Sequence, residues 1–158
     1  VVARAPDLDN ALFAPLDGLT ATPPVVVEGR TDDVLAASDV VLTASGTATV
    51  QTAIHQRPMV IVYRLSALTY RVVKTFSHVD DAGMVNLIAG ERVVPELIQD
   101  AFTPEAVADE AVSFLTDPER AARTRAALGQ VRAKLGAVGA SRRAAERILS
   151  VARGVREG

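Results

Sequence analysis

The sequence predicts an α/β fold in which a doubly wound parallel sheet is followed by amphipathic helices at the carboxyl end. Three short apolar runs, rich in β-branched residues, lie at positions 25–27, 39–43 and 59–63, and none alternates polar with apolar side chains. Continuous apolar strands are typical of parallel sheets covered by helices on both faces. Helix-like stretches separate the runs, so a strand, a crossover helix and a parallel strand follow one another twice.

The stretches between and beyond these strands carry helix signals. Thr31 or Asp32 is expected to cap a helix that reaches Ala37. Residues 46–56 supply a second helix, which ends before a proline. Residues 66–76 are also predicted to be helical.

Further along the chain, proline and capping residues provide the signals. Residues 79–85 are predicted to form a loop and a short strand, and Pro95 to begin a helix that reaches Gln99. Residues 103–105 (TPE) and 117–119 (DPE) each combine an N-cap, a proline and an acidic first turn. The side chains expected to face inward in the last three helices are Val107, Ala111, Phe114 and Leu115, then Leu128, Val131, Leu135 and Val138, and finally, after Ser141, Ala144, Ile148 and Val151.

Composition excludes several classes of function. A chain of 158 residues with 49% apolar residues can bury a core without disulfides or metals. Aromatic residues make up only 4%, which argues against stacking on single-stranded nucleic acid. Cysteine is absent and only two histidines occur, which removes thiolate sites and a histidine-rich metal cluster. The chain begins at Val1 rather than at a methionine, and we expect it to be a piece of a longer protein.

The net charge of −2 conceals an asymmetry. Residues 1–118 carry 7 basic and 16 acidic groups, whereas residues 119–158 carry 10 basic and 3 acidic groups. We therefore expect an acidic α/β unit over 1–118 and a basic helical unit over 119–158. A solvated helix face is the usual explanation for such basic residues, and contact with anionic lipid is the alternative.

The segment with the clearest potential for chemistry is residues 43–51 (TASGTATVQ), which runs from the end of a predicted strand into a helix. Ligands of open α/β sheets bind outside the carboxyl ends of the strands. Ser45, Gly46 and Thr47, which we call the 45–47 turn, would place two hydroxyls and backbone N–H groups at a helix N-terminus that favours phosphate. The alternative is that Ser45 only caps the helix and Gly46 only eases a turn. The segment is neither a Walker loop nor a GxGxxG fingerprint.

Other polar residues have competing explanations. Asn86 is expected to follow a short strand, where it would contact a ligand or form a local turn. Arg64, at the end of the third strand, could meet a phosphate or pair with a carboxylate. His55 is expected to interact with the C-terminus of its helix. His78 could act as a base oriented by the neighbouring aspartates, although a polar loop explains it equally simply.

Taken in order, several blocks resemble the lipid-A-disaccharide synthase family. They are residues 37–39 (ASD), 44–48 (ASGTA), 58–64 (PMVIVYR), 86–90 (NLIAG) and 95–99 (PELIQ). The similarity extends over residues 25–99, and the helical tail is compatible with it. Members of this family are inverting GT-B glycosyltransferases with two Rossmann-like domains, of which the carboxyl-terminal one holds the nucleotide.

The resemblance implies a function for the chain as the carboxyl-terminal, donor-binding half of such an enzyme, without its amino-terminal domain. The implied donor is UDP-2,3-diacylglucosamine and the implied acceptor is 2,3-diacylglucosamine 1-phosphate (lipid X), with neither metal nor cofactor. The catalytic base is expected in the absent amino-terminal domain, so no residue of this chain is assigned as catalytic and the isolated chain is expected to be inactive. The tail helices would pack on residues 1–118 or on that absent domain. The implied location is the bacterial cytoplasm, with peripheral contact to the inner membrane and no nucleic acid partner.

The family's binding residues carry over by position. The 45–47 turn would hold the UDP diphosphate, and Gln51 matches a ribose-contacting position where the family usually has Glu. Arg64 matches the arginine of a Tyr-Arg pair. Asn86 matches the asparagine of a Pro-Asn-Leu-Leu-Ala-Gly block, although Val85 replaces its proline. These departures leave open another UDP-sugar GT-B or epimerase-like enzyme, and a non-catalytic α/β interaction module remains the third alternative.

Overall fold

A computed structural model describes residues 1–18, 23–65, 83–136 and 139–152 of the chain. Two parallel strands, β1 (Val2–Arg4) and β2 (Val26–Glu28), form a small sheet. Two 3-10 turns, Asn10–Leu12 and Ala14–Leu16, lie between these strands in the sequence. The predicted run at 25–27 is therefore a strand, displaced by one residue.

A second sheet has three parallel strands in the order β3 (Val41–Ala44), β4 (Met59–Tyr63) and β5 (Glu96–Ile98). Ala44 is the partner of Val62, and Tyr63 is the partner of Ile98. The carboxyl ends of all three strands therefore meet at one edge of the sheet, which we call the carboxyl edge. This arrangement confirms the predicted α/β class with parallel strands.

Helices occupy most of the remaining described chain. They are α1 (Thr31–Ala37), α2 (Thr47–Ile54), α3 (Met84–Ala89), α4 (Pro104–Thr116), α5 (Pro118–Leu135) and α6 (Ala140–Ala152). The predicted starts of α4 and α5 are confirmed, since Thr103 accepts a hydrogen bond from Ala106 N and Asp117 accepts one from Arg120 N. The predicted cap of α1 is wrong, because the N-cap is Arg30, which makes no side-chain capping bond.

The core lies where β4 meets α2, α3 and α5. Met59 and Ile61 of β4 are completely buried and cluster with Val85 of α3 and with Leu128 and Val131 of α5. The middle of the predicted stripe on α5 is thus confirmed as core. Helix α5 therefore packs directly on the α/β unit, although its residues belong to the basic part of the sequence.

The prediction that every strand is buried on both faces holds only for β4. In β2 the first and last residues, Val26 and Glu28, are exposed, and Leu42 of β3 is 54% exposed. Among the described residues, β3 pairs only with β4, and the two sheets do not share a hydrogen-bonded ladder. A groove of about 620 Å³ lies between them, with Val27, Leu42 and Leu115 in its lining.

Two secondary-structure predictions around the second sheet are wrong. Pro95 does not begin a helix, because residues 96–98 pair with Ile61–Tyr63 as β5. Residues 84 and 85 belong to α3 rather than to a strand. At 96–98 pairing with β4 overrides the local helix signal, whereas residues 84 and 85 enter a helix through local bonds such as Leu87 N to Gly83 O. The predicted helix at 66–76, residues 79–82 and Val138 lie outside the described residues.

The predicted inward face of α6 is also wrong. Ala144 is exposed, Ile148 is 68% exposed and Val151 is 70% exposed, and α6 contains no buried residue. Leu115 of α4 and Leu135 of α5 are likewise exposed. Amphipathic spacing predicts a helix with an apolar face, but it does not say which surface covers that face.

Candidate functional site

The 45–47 turn connects the carboxyl end of β3 to the first turn of α2, as the sequence predicts. Gly46 is the N-cap of α2 and has φ +145° and ψ −162°, a backbone conformation that residues other than glycine rarely adopt. A Cβ atom placed on Gly46 would find no atom within 4 Å, so the space beside the turn is open. The turn can therefore be approached closely by a ligand.

A threonine inside α2 holds this turn in place. Thr49 is fully buried, and both its hydroxyl and its backbone N–H donate to the carbonyl oxygen of Gly46, at 2.6 and 3.1 Å. Gly46 has no side chain that could cap the helix. The positive end of the α2 dipole, with its N-terminal N–H groups, therefore faces the open space.

The other polar residues assigned to this site differ in their exposure to solvent. Ser45 is half-buried, and Thr47 and Gln51 are exposed. Thr47 and Gln51 are four residues apart on α2 and therefore share one face of the helix. The structure thus brings a hydroxyl, an amide and helix N–H groups to one surface at the carboxyl edge.

Arg64 lies at the same edge, but its side chain is directed to the opposite side of β4. Its Nη2 donates to the carbonyl oxygen of Phe102 at 2.7 Å, and its Cζ lies 5.2 Å from the centroid of the Phe102 ring. Phe102 follows β5, whereas the 45–47 turn follows β3. In this conformation the exposed guanidinium forms no ion pair with a carboxylate of the described residues.

The expected placement of Asn86 in a loop after a strand is wrong. Asn86 lies in α3 and is 1% exposed. Its Oδ1 accepts from the backbone N–H groups of Val93 and Val94, and its Nδ2 donates to Val94 O and to Glu96 Oε1. The side-chain amide is thus occupied by the chain itself, and it holds α3 against the start of β5.

Two further residues, one at the start of β5 and one just after its end, make hydrogen bonds that the sequence did not predict. Glu96 is 8% exposed and accepts hydrogen bonds from Gly83 N and Asn86 Nδ2. The side chain of Gln99 pairs with the main chain of Leu65. A carboxylate within an apolar strand (VVPELI) is a usable signal for Glu96, because a buried charge requires partners.

One of the two histidines lies in the part of the chain that the structure describes. His55 is the C-cap of α2, but its side chain contacts α1, since its Nε2 lies 3.0 Å from Asp32 Oδ1. His78 and the aspartates beside it lie outside the described residues. Within the described ranges, no group of three or more potential metal ligands occurs, and no helix is long and apolar enough to cross a membrane.

Comparison with known proteins identifies relatives over almost the whole chain. A sequence profile described as lipid-A-disaccharide synthetase matches residues 19–150. Lipid-A-disaccharide synthase of Geobacter sulfurreducens is 41% identical over 151 residues, which are 96% of this chain and 39% of that protein. The enzyme of the same name from Anaeromyxobacter sp. is 44% identical over 156 residues, 97% of this chain and 40% of that protein.

A third relative, from Alkalilimnicola ehrlichii, is 44% identical over 127 residues and has the same name. The chain spans about two fifths of the length of the first two relatives. The profile covers more than half of the chain and includes the 45–47 turn, the Tyr63-Arg64 pair and Asn86. On this evidence the chain belongs to the lipid-A-disaccharide synthetase family.

Proposed function

We propose that the chain is the donor-binding half of a glycosyltransferase and that the 45–47 turn binds the diphosphate of UDP. The observation that carries this proposal is the open turn at Gly46, where the N-terminus of α2 meets the carboxyl edge of a parallel sheet. Family membership supports the same assignment, because its relatives are named as synthases of a disaccharide.

The proposed substrates are UDP-2,3-diacylglucosamine as donor and lipid X as acceptor. In the reaction, the 6-oxygen of the acceptor forms a bond to the anomeric carbon of the donor while the bond from that carbon to the β-phosphate oxygen breaks. The hydroxyl proton passes to a base in the absent amino-terminal domain, and UDP leaves. The N–H groups at the start of α2 stabilise the negative charge that develops on the departing diphosphate.

Other parts of this chain have proposed supporting roles. Gln51, on the same helix face as Thr47, is proposed to hydrogen-bond the ribose, as an amide in place of a carboxylate. Arg64 is proposed to approach the diphosphate after leaving Phe102, since a change of side-chain rotamer is sufficient to release an exposed guanidinium. Asn86 supports the site from within the core rather than by contact with the ligand.

We also propose the domain organisation that the sequence suggests. Residues 1–118 form an incomplete Rossmann-like domain, and residues 119–158 form helices that pack on it or on the absent domain. Three features support this proposal: the edge of β3 that no other described strand pairs with, the groove between the two sheets, and the exposed apolar face of α6. Peripheral membrane contact through Arg142, Arg143 and Arg147 remains a prediction, which binding to anionic vesicles would test.

Calorimetric titration with UDP tests the diphosphate site. We expect the 158-residue chain to bind UDP weakly, and Gly46→Val to weaken binding by at least about tenfold, because a side chain fills the approach to the helix N-terminus. Thr47→Val keeps the shape of the side chain and should cost about fivefold, the value of one hydrogen bond. Gly129→Ala is the matched control. Gly129 lies within α5, and a Cβ there would make an ordinary van der Waals contact with the side chain of Gln56, at 3.8 Å. Equal affinity in all four proteins would disprove the site.

The substrates and the missing base are tested with the longer protein. We expect transfer from UDP-2,3-diacylglucosamine to lipid X by the full-length enzyme and no transfer by these 158 residues, because the base belongs to the other domain. The measurement is formation of the disaccharide product. Transfer by the full-length enzyme from a different UDP-sugar only would replace the proposed donor, and transfer by the isolated chain would contradict the domain assignment.

A further inference from the structure

The side chain of Gln99 continues the pairing of β4 with β5 beyond the end of the backbone ladder. The last paired residues are Tyr63 and Ile98. One step further, Gln99 Oε1 accepts from Leu65 N at 2.6 Å, and Gln99 Nε2 donates to Leu65 O at 3.3 Å. The amide thus pairs with both the N–H and the C=O of Leu65, as a residue of a neighbouring strand would, and it fixes the main chain just after Arg64.

The backbone of Gln99 indicates that this side chain is needed. Gln99 has φ +54°, in the left-handed region that glycine adopts most easily and that other residues rarely occupy. If only the shape of the turn mattered, glycine would be the favoured residue. A glutamine in this conformation is consistent with a specific task for its amide.

Glu96, three residues earlier, makes a comparable bond to the main chain. Its Oε1 accepts from the backbone N–H of Gly83 at 3.0 Å. Leu65 and Gly83 flank residues 66–82 in the sequence, so two side chains from β5 and the turn after it hold the two flanking positions. Both polar groups of the Gln99 amide are used by Leu65, so ligand contact is not its role in this conformation.

We propose that Gln99 is a positioning residue for UDP binding, which fixes the main chain at Leu65 and thereby the base of the Arg64 side chain at the carboxyl edge. This inference rests on the proposed function of the edge as a diphosphate site. Arg64 lies directly between the last strand residue, Tyr63, and the anchored Leu65. A guanidinium on an anchored stem can reach a diphosphate at a smaller entropic cost than one on a loose loop.

The test uses Gln99→Gly, which removes the amide and suits the positive φ, so that the protein should fold normally. We expect UDP affinity to fall about fivefold and amide hydrogen exchange at Leu65 to rise by a similar factor, the value of about one hydrogen bond. Gln99→Glu keeps the oxygen that accepts from Leu65 N and should restore part of the affinity. Gln130→Ala, on the exposed face of α5, is the control and should change neither quantity.

The outcomes separate this role from the proposed function. Wild-type affinity in Gln99→Gly, or unchanged exchange at Leu65, would overturn the positioning role while the diphosphate site stands. Absence of UDP binding by the unsubstituted chain would overturn the diphosphate site and, with it, the role of Gln99 in binding. A lower melting temperature with unchanged affinity would reduce Gln99 to a structural residue and also count against the proposal.

Discussion

Replacing Asn86 by alanine is expected to lower the free energy of unfolding by about 3–4 kcal/mol, because it leaves the buried N–H of Val94 and the half-buried N–H of Val93 without their acceptor. The same change removes the donor to Glu96 Oε1, which is itself nearly buried. Chemical denaturation followed by circular dichroism measures the loss. Because Asn86 links α3 to the start of β5, and Val85 beside it packs in the core, both elements should loosen together.

The chain provides a matched control in its other asparagine. Asn10 is exposed and accepts a hydrogen bond from Arg4 at 2.5 Å, so Asn10→Ala should cost about 1 kcal/mol or less. Asn86→Asp isolates the donor side of the network, because it preserves the shape but directs an oxygen at Glu96. Similar losses for Asn10→Ala and Asn86→Ala would refute the structural role assigned to the buried amide.

Gly83→Ala is expected to destabilise the protein by about 2–3 kcal/mol through overpacking. A Cβ at this position would lie 2.5 Å from Ile61 Cδ1 and 2.6 Å from Glu96 Oε1, both far inside van der Waals contact. Ile61 is completely buried in β4, and Glu96 is fixed by its bonds to Gly83 and Asn86, so neither can move away freely. Thermal and chemical denaturation measure the change.

A double substitution tests whether this contact is the cause. Ile61→Val removes the Cδ1 atom and alone should cost about 1 kcal/mol. The pair Gly83→Ala with Ile61→Val should cost less than the sum of the two single changes, because one of the two clashes is gone. The clash with Glu96 remains, so the recovery is partial. Strict additivity would show that the close approach to Ile61 is not what requires glycine at position 83.

Local signals predicted the starts of α4 and α5 because these caps are formed within one turn of chain. Thr103 and Asp117 each cap the helix that the sequence places after them. The continuous apolar run of β4 was recognised from the sequence for a similar reason, since it is buried on both faces by helices. The 45–47 turn was located because a strand end, a glycine and a helix start adjoin in the sequence.

Two of the errors have a common physical origin, which is that contacts with residues outside the local segment overrode the local preference. Pro95 has the signal of a helix start, but the ladder with β4 draws residues 96–98 into a strand. Asparagine is common in turns, but the amide of Asn86 is hydrogen-bonded inside the core. Its partners are Glu96 and the backbone of Val93 and Val94. Neither partner can be found by inspecting neighbours in the sequence.

The sequence by itself determined the α/β class, the parallel strands, the capped starts of α4 and α5 and the position of the glycine turn, because these depend on periodicity and on interactions within a few residues. Only the tertiary structure decided that Asn86 is a core residue, that Arg64 is held by Phe102, that Gln99 anchors Leu65 and that the apolar face of α6 is exposed. The physical reason is that burial and hydrogen-bond partners are properties of the packed chain, set by which surfaces meet and not by which residues adjoin.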